Sequence, residues 1–333
     1  MNSPYTGKPM QIVHEERVLK FRKEEFTIIK HFFLCPDSDA EFETEEQLNL
    51  NLDQVYNQYR VKHQLPFPED IIRVREQYEL SSAKMSEVLG FGVNTYRLYE
   101  QGEIPNLSNA RLIQLAEDPL EFEKLVNLCD QLPEKDKAKI RKRIKLLIFS
   151  RDESVFEGLT SYLFGKDLFP SIYRGYRRPN LVRFNHMLAF LVKEVRPFKV
   201  KMCKLLFYAD FFHFKKTGRS ISGASYIAIN MGPVPNNFDG LFNEARREGF
   251  LQIAYKDFPN GGIGEQFLPG TKAMDESIFS EPEKTTLREI AARFKKTGTD
   301  EMINMSHEED AWKKAQANNE LISYRFAFDL KHI

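Results

Sequence analysis

Lys204-Leu205-Leu206-Phe207-Tyr208-Ala209-Asp210-Phe211-Phe212-His213-Phe214 is the most distinctive run in the 333-residue chain. It reads as a helix. Gly218-Arg219-Ser220-Ile221-Ser222-Gly223-Ala224-Ser225-Tyr226 follows as a loop leading into a short strand, and Met231-Gly232-Pro233-Val234-Pro235 as a Gly-Pro-x-Pro turn. Asp210 and His213 stand three apart, so on one helix they can face each other, with the carboxylate orienting the imidazole. An enzyme would add Ser306 or His307 as nucleophile or metal ligand. Against it, H-E-x-x-H is absent and no glycine-rich phosphate loop lies between a strand and a helix. Gly261-Gly262-Ile263-Gly264 reads instead as a hairpin tip between strands at 250–255 and 266–268. The chain is therefore expected not to be an enzyme. Pro233 and Pro235 fix φ and remove two donors, which suits either a preformed recognition loop or a tight turn.

Upstream of this run, Asn180 caps a helix through Leu181, Phe184, Met187, Leu188 and Val192, and Pro197 limits it. Downstream, Ser280 with Glu283, and Ser306 with Glu309, have capping-box spacing, so the Ser306 hydroxyl is expected at a helix N-terminus. Trp312, the single tryptophan, is expected to anchor the last helix in the core.

The helix, loop, strand and proline turn, together with the late Ser306-His307-Glu308-Glu309-Asp310-Ala311-Trp312, resemble the Panacea domain, also called the SocA-like antitoxin domain. That resemblance implies neutralisation of a protein toxin by direct contact. It marks Tyr208, Asp210, His213, Gly223, Tyr226, Gly232, Pro233, Pro235, His307 and Trp312 as motif or toxin-contacting residues.

Between 67 and 130 the pattern is helical. Pro68 takes a first helical position ahead of Ile71, Ile72, Val74, Arg75 and Tyr78. Two short helices, 81–90 and 93–102, each stop at a glycine and form a helix-turn-helix, followed by Pro105 and a helix over 108–116. The segment resembles the Xre-type DNA-binding domain of YgiT-group antitoxins. In such a unit the second helix enters the major groove, which makes Asn94, Thr95 and Arg97 the base-reading positions and puts Ser82 and Lys84 of the first helix near phosphate. The family commonly has Gln where Ser82 stands, and Arg at the position of Leu98.

Residues 1–66 read as strands at 12–19 and 26–34 and a helix at 45–63. Ser3-Pro4-Tyr5-Thr6-Gly7 and Cys35-Pro36-Asp37-Ser38 occupy the places where a zinc ribbon carries its C-P-x-C knuckles. The segment resembles the zinc ribbon of YgiT-type antitoxins with three of its four thiolates replaced, by Ser3, Thr6 and Ser38. Hydroxyls are poor zinc ligands, so no metal or other cofactor is expected.

Charge is segregated. The chain has 48 Lys+Arg against 48 Asp+Glu, a formal net charge of zero. Residues 32–59 hold seven acids and no Lys or Arg, while 133–151 hold eight bases, Arg151 among them, against two acids. A phosphate backbone or an acidic protein suits that second stretch, as does a solvated helix face. Arg174, Arg177, Arg178 and Arg183, interleaved with Tyr173 and Tyr176, slightly favour a binding surface. Three scattered cysteines exclude a disulfide framework and point to a reducing cytoplasm. The longest apolar run, 187–192, is far short of the roughly 20 residues a membrane helix needs, and 1–20 has no apolar signal core.

The expected fold is mainly α with small β elements (α+β). Its segments are a metal-free ribbon at 1–66, a helix-turn-helix at 67–130, a basic linker or helix at 131–153, and the Panacea-like domain at 154–333. The expected function is that of a cytoplasmic, homodimeric antitoxin, with a cognate protein toxin and operator DNA as partners and no membrane. The alternative is a protein-interaction module, such as a protease adaptor, without DNA binding.

Overall fold

The computed structural model describes residues 1–149, 153–258, 261–316 and 320–333, with only the backbone described over 153–157. Arg151, counted in the basic run, lies outside the described residues. The chain divides into two compact units, Met1–Glu157 and Gly158–Ile333. Among the described residues helices predominate and the strands form three small antiparallel sheets, so the mainly α, α+β expectation holds.

The first unit opens with β1 (Gln11–Phe21) and β2 (Glu24–Leu34), paired in register from Gln11 opposite Leu34 to Phe21 opposite Glu24. Arg22 and Lys23 join them with φ of 47° and 68°, the left-handed pair that a two-residue hairpin turn of matching twist demands. β3 (Glu41–Phe42) covers only the end of β2. Along the rest of that edge, α1 (Glu45–His63) supplies side-chain amides. Asn51 and Gln54 each accept from and donate to one strand residue, His31 and Ile29, at 2.8–2.9 Å, and Gln58 donates to the Thr27 carbonyl at 2.9 Å. Spacings of three and four on the helix thus meet a period of two on the strand, and an edge open to pairing with other chains is closed.

Six helices follow: α2 (Pro68–Glu76), α3 (Ser82–Val88), α4 (Thr95–Glu100), α5 (Leu107–Leu115), α6 (Pro119–Leu128) and α7 (Glu134–Phe149). They share a core of Ile71, Val74, Tyr78, Met85, Tyr96, Ile113, Phe122 and Val126. Ile140 and Ile144 of the basic α7 belong to the same core, so this segment is packed helix; Lys137 is buried with them, while Lys135, Lys139, Lys142 and Lys145 are exposed.

The second unit begins within α8 (Glu153–Phe164), which leads to α9 (Leu181–Val195) and α10 (Lys199–Thr217). Asn180 Oδ1 accepts from Arg183 N at 3.0 Å and caps α9 as the sequence suggests. Then come the hairpin β4 (Tyr226–Ile229) and β5 (Gly232–Pro235), α11 (Phe238–Arg247), the hairpin β6 (Leu251–Asp257) and β7 (Ile263–Pro269), α12 (Glu281–Phe294), α13 (Thr299–Glu308), α14 (Asp310–Ala315) and a closing 3-10 helix, Tyr324–Asp329. The Ser280–Glu283 capping box forms, with Ser280 N donating to Glu283 Oε2 at 2.7 Å. The Ser306–Glu309 box does not. Ser306 lies in the last turn of α13 and its hydroxyl donates to the Ile303 carbonyl at 2.8 Å, while Glu309 is the residue that precedes α14. Trp312 is half-buried and belongs to α14, with a further 3-10 helix after it. Its indole N–H donates to the Ile229 carbonyl at 2.8 Å and ties α14 to β4, a clamp on the hairpin in place of a core anchor.

Candidate functional site: a buried motif and an exposed helix start

α10 is the axis of the second unit, buried from Lys201 to Phe211. Asp210, fully buried, accepts from Ile221 N at 2.8 Å, Ser222 N at 2.9 Å, Tyr226 Oη at 2.8 Å and the Ser222 hydroxyl. Burial pushes its carboxyl above the usual range, while the bonds from Ser222, Tyr226 and Ile221 pull the other way. One carboxylate thus holds the whole 220–226 loop against the helix. Gly223 completes the fit at φ +75°, where a Cβ would lie 2.8 Å from the Arg178 carbonyl.

His213 does not face that carboxylate. Its Nδ1 meets the Thr286 hydroxyl of α12 at 3.1 Å, and burial, with Arg177 nearby, lowers its pKa to about 3, so the ring is neutral. Tyr208 donates to Glu309 Oε1 at 3.2 Å. The Asp210–His213 dyad of the enzyme reading is therefore not assembled.

Pro233 and Pro235, expected in a turn, lie instead in the buried strand β5, paired with Ala228 and Tyr226, which favours a structural role over an open recognition loop. Lys204, fully buried, donates to the Pro233 carbonyl at 3.1 Å. Gly232 makes the approach possible, since a Cβ there would sit 2.4 Å from Ser306 Oγ and 2.8 Å from Lys204 Cε. His307 stacks on Trp312 at 3.9 Å, with its pKa lowered by burial and by the Lys204 charge. Burial brings Lys204 down to about 8. The folded pKa then lies below the unfolded one of about 10.4, so between these values the unfolded chain holds more protons and stability rises with pH. Lys204→Met is expected to stabilise the protein by about 1–2 kcal/mol at pH 7, the relief of burial exceeding the loss of one hydrogen bond. Urea melts at pH 7 and pH 10 check it: the parent should gain stability across that interval through this group and the variant should not.

Sequence reasoning missed the role of Lys204 and the structural role of the arginines. Arg174 donates to the Phe164 and Asp167 carbonyls at 2.7 Å, and Arg177 and Arg183 converge on Glu283 at 2.8 and 2.5 Å. The expected Arg–Tyr binding surface is thus corrected for these three: Arg174 and Arg177 are buried clamps and Arg183 is a half-buried one. The available signal was a lysine opening a mostly aliphatic and aromatic run.

In the first unit, Ser86 Oγ accepts from Tyr96 N at 3.1 Å and Tyr96 Oη donates to the Ile71 carbonyl at 2.7 Å, which fixes α4 against α3 and α2. Asn94 precedes α4 without making a capping bond, and Asn94 and Arg97 are exposed, as are Val93 and Leu98, while Thr95 is half-buried. Ser82 begins α3 half-buried, next to the capping Ser81. Lys84 is drawn to Glu87 at 2.9 Å and Asp136 at 3.2 Å.

The two turns at the sheet end match each other. Ser3 and Cys35 each open a tight turn, and the second turn position is followed by a left-handed residue, Gly7 at φ 67° and Asp39 at φ 52°. Their side chains converge: Ser3, Ser38 and Thr6 hydroxyls surround the Cys35 thiol, with Thr6 at 3.7 Å, and lower its pKa to about 6. One thiol and three neutral hydroxyls do not fit zinc.

The second unit is thus a helical domain organised around one buried helix, a carboxylate-pinned loop and a proline hairpin. Residues 202–313 match the family described as antitoxin SocA-like, Panacea domain. The resemblance is borne out over that part of the chain, which carries an antitoxin-type domain and with it the implication of a toxin partner. No curated protein matches the chain. Among the described residues no helix is long and apolar enough to cross a membrane.

Proposed function

We propose that the protein is the antitoxin of a type II toxin-antitoxin pair. Its C-terminal domain neutralises a protein toxin by direct binding, and the segment at 67–130 binds DNA and represses the operon as a homodimer in the cytoplasm. The observation that carries the reading is the antitoxin-domain match over residues 202–313. Exposed Asn94 and Arg97 at the start of α4 support the DNA part, since they carry the donors and acceptors that read adenine and guanine edges. No catalytic role is assigned. Tyr208, Asp210, His213 and Tyr226 are buried and act as positioning residues that hold the loop and helix in place.

Co-expression with the adjacent gene tests the first part: growth arrest by the neighbour alone, relieved by this chain, is expected, and a neighbour harmless alone counts against it. In a mobility shift on the upstream promoter, Arg97→Ala should weaken binding by about 1–3 kcal/mol, roughly 5- to 150-fold. A parent protein that binds no promoter DNA would favour the adaptor reading, for which the engagement of Lys84 by Glu87 and Asp136 is the supporting observation.

A further inference from the structure

Apart from half-buried His307 and Trp312 the motif residues are buried, so a partner needs further exposed surface on the second unit. A groove of about 1010 Å³ lies between the β6–β7 hairpin and the first turns of α10 and α13. Phe198 and Phe258 pack there with ring centroids 5.2 Å apart. Gly264 leaves the room for them, since a Cβ would sit 2.5 Å from Phe258 Cε2 and 2.9 Å from Phe198 Cε1.

The hairpin register builds the groove's exposed wall. Tyr255 pairs with Glu265 and Ile263 with Asp257, and cross-strand partners share a face. The same face begins in the core at the pair Ile253–Phe267, with Phe267 fully buried, and runs out to Tyr255 at 62 % and Ile263 at 68 % exposed. Two large apolar side chains thus alternate with two carboxylates. On the rim, Lys199 is held by Asp239 at 2.7 Å and Glu265 at 2.9 Å, and Asp300 lines the groove with no ion-pair partner among the described residues. Lys199 against Asp239, Glu265 and Asp300 leaves the rim net negative. An apolar wall beside uncompensated acids fits a segment that carries aliphatic or aromatic residues next to Lys or Arg.

We infer that this groove is where the protein toxin docks, through an apolar segment flanked by basic side chains. The inference rests on the antitoxin reading above, and its test separates the two. Ile263→Lys and Asp300→Lys alter exposed side chains of the full-length protein, with Tyr162→Lys, an exposed aromatic outside the groove, as control. The probe is the purified product of the adjacent gene, with binding followed by titration calorimetry and neutralisation by colony counts. The expected result is at least a tenfold loss of affinity for each groove variant, loss of rescue in the double variant, weaker parent binding at higher salt, and no change for Tyr162→Lys. Parent binding and rescue that persist undiminished in both groove variants would overturn the groove and leave the antitoxin reading intact. A parent chain that neither binds nor rescues takes both down.

Discussion

Glu283→Gln should cost the protein about 3–5 kcal/mol of stability, since it leaves guanidinium charge in the interior without its partner. Glu283 is almost fully buried at the start of α12, and its Oε1 receives both Arg177 and Arg183 while Oε2 receives the Ser280 N–H. Burial alone would raise this carboxyl, but the two guanidinium groups overcome it and hold it down to about 2. Gln keeps the shape and loses the charge. Arg177, itself buried, keeps neutral partners such as the Ile221 carbonyl, at 3.1 Å, but loses the Glu283 charge.

The pH dependence has a definite sign. A carboxyl whose folded pKa lies below its unfolded value of about 4.3 contributes fully above that value, and the contribution is lost as pH falls toward 2. The neutral His213, with a folded pKa near 3 and an unfolded one of about 6.5, loses its contribution from about pH 6.5 downward. The parent should therefore weaken in two overlapping steps on acidification, and Glu283→Gln should lack the lower one. Urea midpoints from pH 7 to pH 3 measure both. Replacing Arg177, Arg183 and Glu283 together by apolar residues should recover much of the loss, because a clamp removed whole leaves no stranded charge. A Glu283→Gln protein within 1 kcal/mol of the parent would show that the clamp contributes little.

The contrast between this clamp and the features read correctly from sequence is physical. The β1–β2 hairpin, α1, the Pro68 start of α2, the Asn180 cap and the Ser280–Glu283 box depend on residues within a few positions of one another, and local spacing carries them. Arg177 and Glu283 are 106 residues apart, so four arginines among tyrosines looked like an exposed patch until the fold closed around three of them. Ser306 shows the converse failure. Its spacing to Glu309 satisfies the capping rule, but the helix had already begun at Thr299, so the hydroxyl falls in a last turn and bonds backward. Asp210 and His213 fail as a pair for a related reason: neighbours on a helix surface interact only when nothing better competes, and each is recruited by a different element. The amide groups of Asn51, Gln54 and Gln58 were legible as helix residues but not as a seal on β2, which requires knowing which strand edge lies beside them.

Ser3→Cys, Thr6→Cys and Ser38→Cys combined should turn a hydroxyl cluster into a zinc site with one metal per chain. The backbone for it is in place: two matching turns bring four γ-heteroatoms together, and left-handed Gly7 and Asp39 follow the second position of each. What stands against metal in the parent is donor chemistry, because neutral hydroxyls cannot supply the charge of thiolates. The hydroxyl hydrogen bonds that lower the Cys35 pKa do part of the work a cation would do. Four thiolates at these turns should bind zinc with an apparent free energy on the order of 10–16 kcal/mol, the range of structural sites in small domains. Even a fraction of that, coupled to folding of the 1–66 segment, would raise its resistance to heat and protease by the largest margin of any change considered. Metal analysis after dialysis under reducing conditions reads the stoichiometry, and cobalt substitution gives the thiolate charge-transfer band of a tetrahedral site. The parent should retain no stoichiometric zinc. A folded triple-cysteine protein that takes up no metal would mean the turns hold their side chains in a geometry only hydroxyls tolerate, and the likeness to a zinc ribbon would then be one of sequence spacing alone.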